Sequence, residues 1–132
     1  MAARAYGDYS RARAELGQNR SRVAGFCEAI VDQGENYKAS GYALLKSKRR
    51  NADCVAVFAE SSGMEPTLVA LSDSVEMRWD IARAGWPNDY LWSGWRVTLP
   101  RAAIPPNAKL SFRAIDTDEP RLYRLEEKQL PR

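Results

Sequence analysis

The chain contains no histidine. That absence removes the Ser-His-Asp relay and the commonest metal-ligating side chain. Ser40, Ser62 and Ser93 each precede a glycine, but none stands in a GxSxG frame, and no SxxK pair offers a lysine as base instead. The eight glycines form no phosphate-cradling loop. With two cysteines, Cys27 and Cys54, and no CxxC, there is little from which to build a zinc site or a thioredoxin-like pair. Apolar runs are short: the stretch CVAVFA at 54–59 falls far below the roughly 18 residues of a membrane span. No secretory leader is expected in the first residues either, since Arg4, Asp8, Arg11 and Arg13 interrupt any apolar core. A secreted or membrane-attached natural form would have had the responsible segment removed.

What is present fits one ordinary globular domain. At 132 residues, 45% hydrophobic and 28% charged, the chain is large enough to bury roughly two thirds of its unfolded surface without staples. The net charge of +3 is local. Residues 1–24 carry Arg4, Arg11, Arg13, Arg20 and Arg22 against Asp8 and Glu15, and the remaining 108 residues balance at 15 basic and 15 acidic side chains. A nucleic-acid binder concentrates positive charge on its folded body, so no nucleic-acid partner is expected.

The patterning divides the chain into a basic helical segment or linker at 1–21 and a β-sandwich domain at 22–132. In the first part Tyr9, Ala12 and Leu16 recur at helical spacing, with Asp8 or Ser10 as cap and Gly17 as stop. Such a helix either docks on the domain or forms the tail of a linker; its apolar stripe is thin for lying on a membrane.

Strand-like segments follow. They are Val23 to Val31, Tyr37 to Leu45 with Gly41 as a close-approach point, Cys54 to Ala59, Thr67 to Leu71, Leu91 to Leu99, Lys109 to Ile115, and a last short strand holding Tyr123 and Leu125. In the fifth, Trp95, Val97 and Leu99 alternate with Arg96 and Thr98, which assigns Trp95 to the core. About seven strands predict an all-β fold, a two-sheet antiparallel sandwich of Ig-like or jelly-roll type. Between them, KSKRRN at 46–51 reads as a solvated hairpin tip. Residues 73–84 read as a helix with Val75, Trp79 and Ala82 on one face, capped by Asp73 or Ser74 and stopped by Gly85 with Pro87.

Carboxylates are the remaining catalytic material. Glu76 and Asp80 would share one helix face, whereas a glycosidase pair must flank its sugar about 5 to 9.5 Å apart, so pairing with Arg78 or Arg83 is expected. Asp116, Asp118 and Glu119 share one turn and are weak candidates for a hard cation; otherwise no metal or cofactor is expected. The cysteines are open to two readings. Neighbouring strands can bring two α-carbons within the 7 Å or so that a disulfide needs, and buried thiols also serve as small hydrophobes.

Aromatics supply the strongest functional signal. Trp79, Trp86, Tyr90, Trp92 and Trp95 fall within seventeen residues. Trp92 has the parity opposite to Trp95, while Trp86 and Tyr90 sit in a loop, so these three are the candidates for exposure. Together with Trp79 they are the candidate ligand-binding residues, since an exposed ring beside polar donors stacks on a pyranose or anchors a protein interface. In the other reading the same rings seal the end of the sandwich.

The order of several short motifs carries a resemblance. Gly41-Tyr42-Ala43, Ala52-Asp53 before an apolar strand, Arg78-Trp79-Asp80-Ile81-Ala82, Ser93-Gly94-Trp95, IPPNAKL at 104–110 and FRAIDTDEPRLYRL at 112–125 resemble a β-sandwich module of bacterial membrane proteins. That module follows the multi-span region, and some of the parent proteins resemble glycosyltransferases that use lipid-linked sugars. Coverage is about residues 22–127, with Trp79 standing where the group has proline. The resemblance implies a periplasmic or extracellular position and, as partners, a glycan or lipid-linked sugar and the membrane region of the parent chain. An oxidising location would also favour a Cys27–Cys54 bridge. The expected function is a non-catalytic accessory domain that binds glycan; the alternatives are a structural or protein-interaction module, or a small hydrolase with a carboxylate pair.

Overall fold

A computed structural model describes residues 22–72, 74–85, 90–119, 121–125 and 130. The expected helix at 8–16 and Trp86 lie outside that set. Nine strands are described: β1 (Val23–Asp32), β2 (Asn36–Leu45), β3 (Arg50–Asn51), β4 (Cys54–Glu60), β5 (Thr67–Leu71), β6 (Ser74–Glu76), β7 (Gly94–Pro100), β8 (Lys109–Asp116) and β9 (Arg121–Arg124). One short helix, α1 (Trp79–Arg83), precedes β7. All pairings are antiparallel. Sheet A runs β1-β2-β7-β6 with β3 also on β2, and sheet B runs β5-β4-β8-β9. The molecule is the expected two-sheet sandwich, with nine strands rather than seven because β3 and β6 are too short to show alternation.

Side-chain parity builds the core. Tyr37, Ala39, Ala43 and Leu45 of β2 and Trp95, Val97 and Leu99 of β7 face Val55, Val57 and Ala59 of β4 and Leu110, Phe112 and Ala114 of β8 in one continuous cluster. Trp95 is 3% exposed and stacks on Phe112. Gly41 makes room for that indole. A Cβ there would strike the Phe26 carbonyl oxygen of β1 and come within 2.9 Å of the Trp95 ring, so only glycine fits.

Two further clusters lie outside the sandwich core. On the outer face of sheet A, Leu44 packs under Ile81 of α1 and Tyr90. On the outer face of sheet B, Ala56, Phe58, Ile115 and Leu122 pack together.

Two local expectations are corrected, and one open reading is decided. Residues 74–76 pair with β7 as a strand, so the helix is only five residues long and Val75 is not on it. The KSKRRN stretch is the expected hairpin tip, formed as a one-turn helix (Lys46–Lys48) between β2 and β3, but Lys48 and Arg50 are engaged by carboxylates rather than solvated. Cys27 and Cys54 keep their thiols, with no disulfide between them. Among the described residues, no helix is long and apolar enough to cross a membrane.

Candidate functional site

The outer face of sheet A gathers charge and aromatic surface around Arg78. Its origin is a bulge in β1. Cys27 pairs with Gly41 and Ala29 with Ser40, which leaves Glu28 as the extra residue, and a bulge re-aims the side chain it inserts. Glu28 reaches Arg78, which donates from Nη1 and Nη2 to the two carboxylate oxygens at 2.6 and 3.1 Å. From its other edge Arg78 donates from Nε and Nη2 to Asp80 at 2.9 and 2.6 Å. One guanidinium is thus forked to two carboxylates, the strongest geometry these groups adopt. Its carbon lies 5.3 Å from the centre of the Tyr42 ring, and Tyr42 meets Phe26 edge-on with centroids 5.1 Å apart.

The electrostatics follow from that fork. Arg78, hydrogen-bonded first by Asp80 and then by Glu28, is held above the ordinary arginine value despite partial burial. The Arg78 hydrogen bonds lower the Asp80 carboxyl to about 2. Both carboxylates remain reachable by solvent, so their outward lone pairs can accept hydrogen bonds from a ligand. Nearby on the same face, Glu76 of β6 pairs with Arg96 of β7 at 3.1 Å. Gly94 lets β6 and Arg78 come close, since a Cβ would lie 2.7 Å from the Glu76 carbonyl oxygen and 3.0 Å from Arg78 Cγ.

Two of the four aromatic candidates are exposed. Trp79 opens α1 at 58% exposure and Trp92 is 51% exposed. Both follow directly on a backbone hydrogen bond from Arg78 N to Leu91 O at 2.7 Å, which ties the two segments together. Tyr90 corrects its expectation: it is 4% exposed, packed on Leu44 and Ile81, with its hydroxyl donating to the Lys46 carbonyl at 3.4 Å. Trp86 lies outside the described residues.

The acidic turn is met by cations of the chain itself. Lys48 Nζ lies 2.6 Å from Asp116, 3.4 Å from Asp118 and 4.0 Å from Glu119, and Arg50 reaches Asp53, Asp116 and Asp118 at 3.0, 3.3 and 3.2 Å. Cations of the 46–50 loop thereby occupy the carboxylates read as weak ion ligands. Among the described residues no group of three or more acidic or cysteine side chains is arranged to hold a metal.

Two openings are bordered by described residues. A cleft of about 720 Å³ lies at the β4–β5 loop, bordered by Glu60, Met64, Glu65, Lys109 and Arg124. Glu60 there is bound by Arg113 and Arg124 at 2.9 and 2.7 Å, an arrangement that fixes the rim. Beside Trp92, a slit of about 10 Å³ is lined by Ser72, Val75, Ser93 and Trp95; a space that size holds one water at most.

Sequence reasoning named Trp79 and Trp92, which are exposed, but missed Arg78, Glu28 and Tyr42 as a unit. The signal was the single Glu28 inside an apolar strand, a charge that needs either a bulge or a partner. No protein-family model matches the chain, and no curated protein matches it.

Proposed function

We propose that this domain is a non-catalytic module that binds a glycan on the outer face of sheet A. The observation that carries the reading is the Arg78 fork to Glu28 and Asp80 together with two exposed indoles, Trp79 next to Arg78 in the chain and Trp92 next to Leu91, whose carbonyl oxygen accepts from Arg78 N. A sugar offers an apolar face for stacking and hydroxyls for planar charged groups, and this surface offers both complements on an ordered strand-and-helix support. The resemblance to extracytoplasmic modules supports a setting outside the bacterial membrane, with a lipid-linked sugar or the membrane region of a parent chain as partner.

The test is titration with oligosaccharides followed by tryptophan fluorescence, on the native chain and on Trp79→Ala and Trp92→Ala. Saturable quenching in the native chain that weakens at least tenfold in either variant is the expected result. If no saccharide perturbs the signal at millimolar concentration, the glycan reading is lost and the same rings, with Val75 and Met77 also exposed, become a protein-contact surface.

A further inference from the structure

One end of sheet B gathers positive charge on its outer face. Val55, Val57 and Ala59 of β4, Leu110, Phe112 and Ala114 of β8 and Tyr123 of β9 face the sandwich core. Alternation therefore turns Glu60, Lys109, Arg113 and Arg124 to the other side of the sheet. Three cations share that face of the described strands with one carboxylate. Arg113 and Arg124 stand directly opposite each other across the β8–β9 ladder, a placement in which like charges repel. Glu60 relieves the repulsion by accepting from both guanidinium groups on one oxygen, at 2.9 Å from Arg113 Nη2 and 2.7 Å from Arg124 Nη2.

The cluster is held firmly. Arg113 is fully buried, donates from Nε to Ser111 Oγ at 2.9 Å, and has its guanidinium carbon 5.5 Å from the centre of the Phe58 ring. Taking a guanidinium out of water carries a desolvation cost, which these contacts and Glu60 offset. Lys109 lies directly opposite Glu60 across the β4–β8 ladder. It is exposed and forms no ion pair with a described residue.

The cleft of about 720 Å³ opens beside this cluster, with Glu60, Lys109 and Arg124 on the sheet side and Ser61, Ser62 and Met64 on the loop side. Its volume is that of a small-molecule site. The loop wall is set by a turn in which Met64 N–H donates to the Ser61 carbonyl oxygen at 3.1 Å, with Gly63 at φ +76° supplying the left-handed step.

We infer that this cleft binds a small organic oxyanion, a phosphate ester or a carboxylate carried on a polyhydroxylated body. Arg124 meets the anionic group as a planar fork and Lys109 meets it as a point charge on a flexible stem. Glu60 sets the position of Arg124, and buried Arg113 in turn holds Glu60. The hydroxyls of Ser61 and Ser62 exchange hydrogen bonds with the ligand's hydroxyls, and exposed Glu65 on the rim accepts from them. Met64, 71% exposed, lies along the apolar edge of the ligand. The site is built on the other sheet from Arg78, so it stands apart from the surface that carries Trp79 and Trp92.

The experiment titrates the full chain at constant ionic strength with inorganic phosphate, with glucuronate and with glucose, followed by amide NMR. Saturable shifts from at least one of the two anions, centred on Ser61, Ser62, Lys109 and Arg124 and absent there with glucose, are the expected result. The anion that gives them at the lower concentration identifies the headgroup. Lys109→Ala, at an exposed position, is expected to weaken that binding at least fivefold, and Arg124→Gln at least tenfold. Shifts that fail to saturate with both anions, that centre elsewhere, or that glucose reproduces at these residues overturn the proposal. An affinity unchanged in Lys109→Ala overturns it as well.

Discussion

Trp95 of β7 and Phe112 of β8 stack across the two sheets, ring centroids 5.6 Å apart and planes 28° from parallel. Each comes from a different layer, so the pair is a direct joint between them. Phe112 is fully buried. Replacing it with alanine removes both its own burial and the support of the indole, and is expected to lower stability by about 3–5 kcal/mol. Urea unfolding followed by Trp95 fluorescence measures it, and a loss under 1 kcal/mol would contradict the packing described.

Ser93→Ala should stabilise the protein. The Ser93 hydroxyl is buried and meets no hydrogen-bond partner among the described residues, a condition that costs about 1–3 kcal/mol relative to a solvated hydroxyl. Removing it is expected to recover about 1 kcal/mol by thermal or chemical unfolding. A loss of that size would instead mean that the hydroxyl is bonded in solution.

Acid should act through Asp80. Its folded value of about 2 lies below the ordinary 3.8, so its contribution to stability is complete above about pH 4 and fades as pH falls through 2. Arg78→Ala removes the fork, and a carboxylate titration followed by NMR is expected to return Asp80 toward 3.8. Arg78→Lys should recover only part of the shift, because an ammonium cannot fork to Glu28 and Asp80 together.

Asp116 tests the second charge network. It is 2% exposed, accepts from Arg50 and from the Asp118 backbone N–H, and sits 2.6 Å from Lys48. Asp116→Ala is expected to cost about 2–3 kcal/mol, less than a fully buried pair because Arg50 reaches water. The measurement is urea unfolding at low and high salt, where a loss that is unchanged by salt would point to the backbone bond as the main contribution.

Much of the sandwich was legible because burial on one face writes a period of two into a strand. Trp95, Val97 and Leu99 showed it, as did Leu110, Phe112 and Ala114. The short strand β6 was hidden: three residues hold no period, and their helical spacing with Trp79 and Ala82 was a coincidence that pairing with β7 overrides. Tyr90 was misplaced because a loop position says nothing about what lies beneath it. The clue was in β2, where Ala43, Leu44 and Leu45 are consecutive apolar residues, so both faces of the sheet had to be covered at that point. The grip of Lys48 and Arg50 on Asp116 joins residues more than sixty positions apart, a distance at which single-sequence patterning carries no information.

The extra residue at Glu28 has an effect beyond the Arg78 site. Strand β1 is ten residues long and is one of the two outermost described strands of its sheet, with two valines, two alanines and an isoleucine. A straight rim of that composition would template a neighbouring molecule, one backbone against the next. The kink and the carboxylate together interrupt the ladder midway, so a second copy meets a broken row of donors and a charge instead of a matching edge. The feature that assembles a recognition surface thus also helps keep one molecule from zipping onto another.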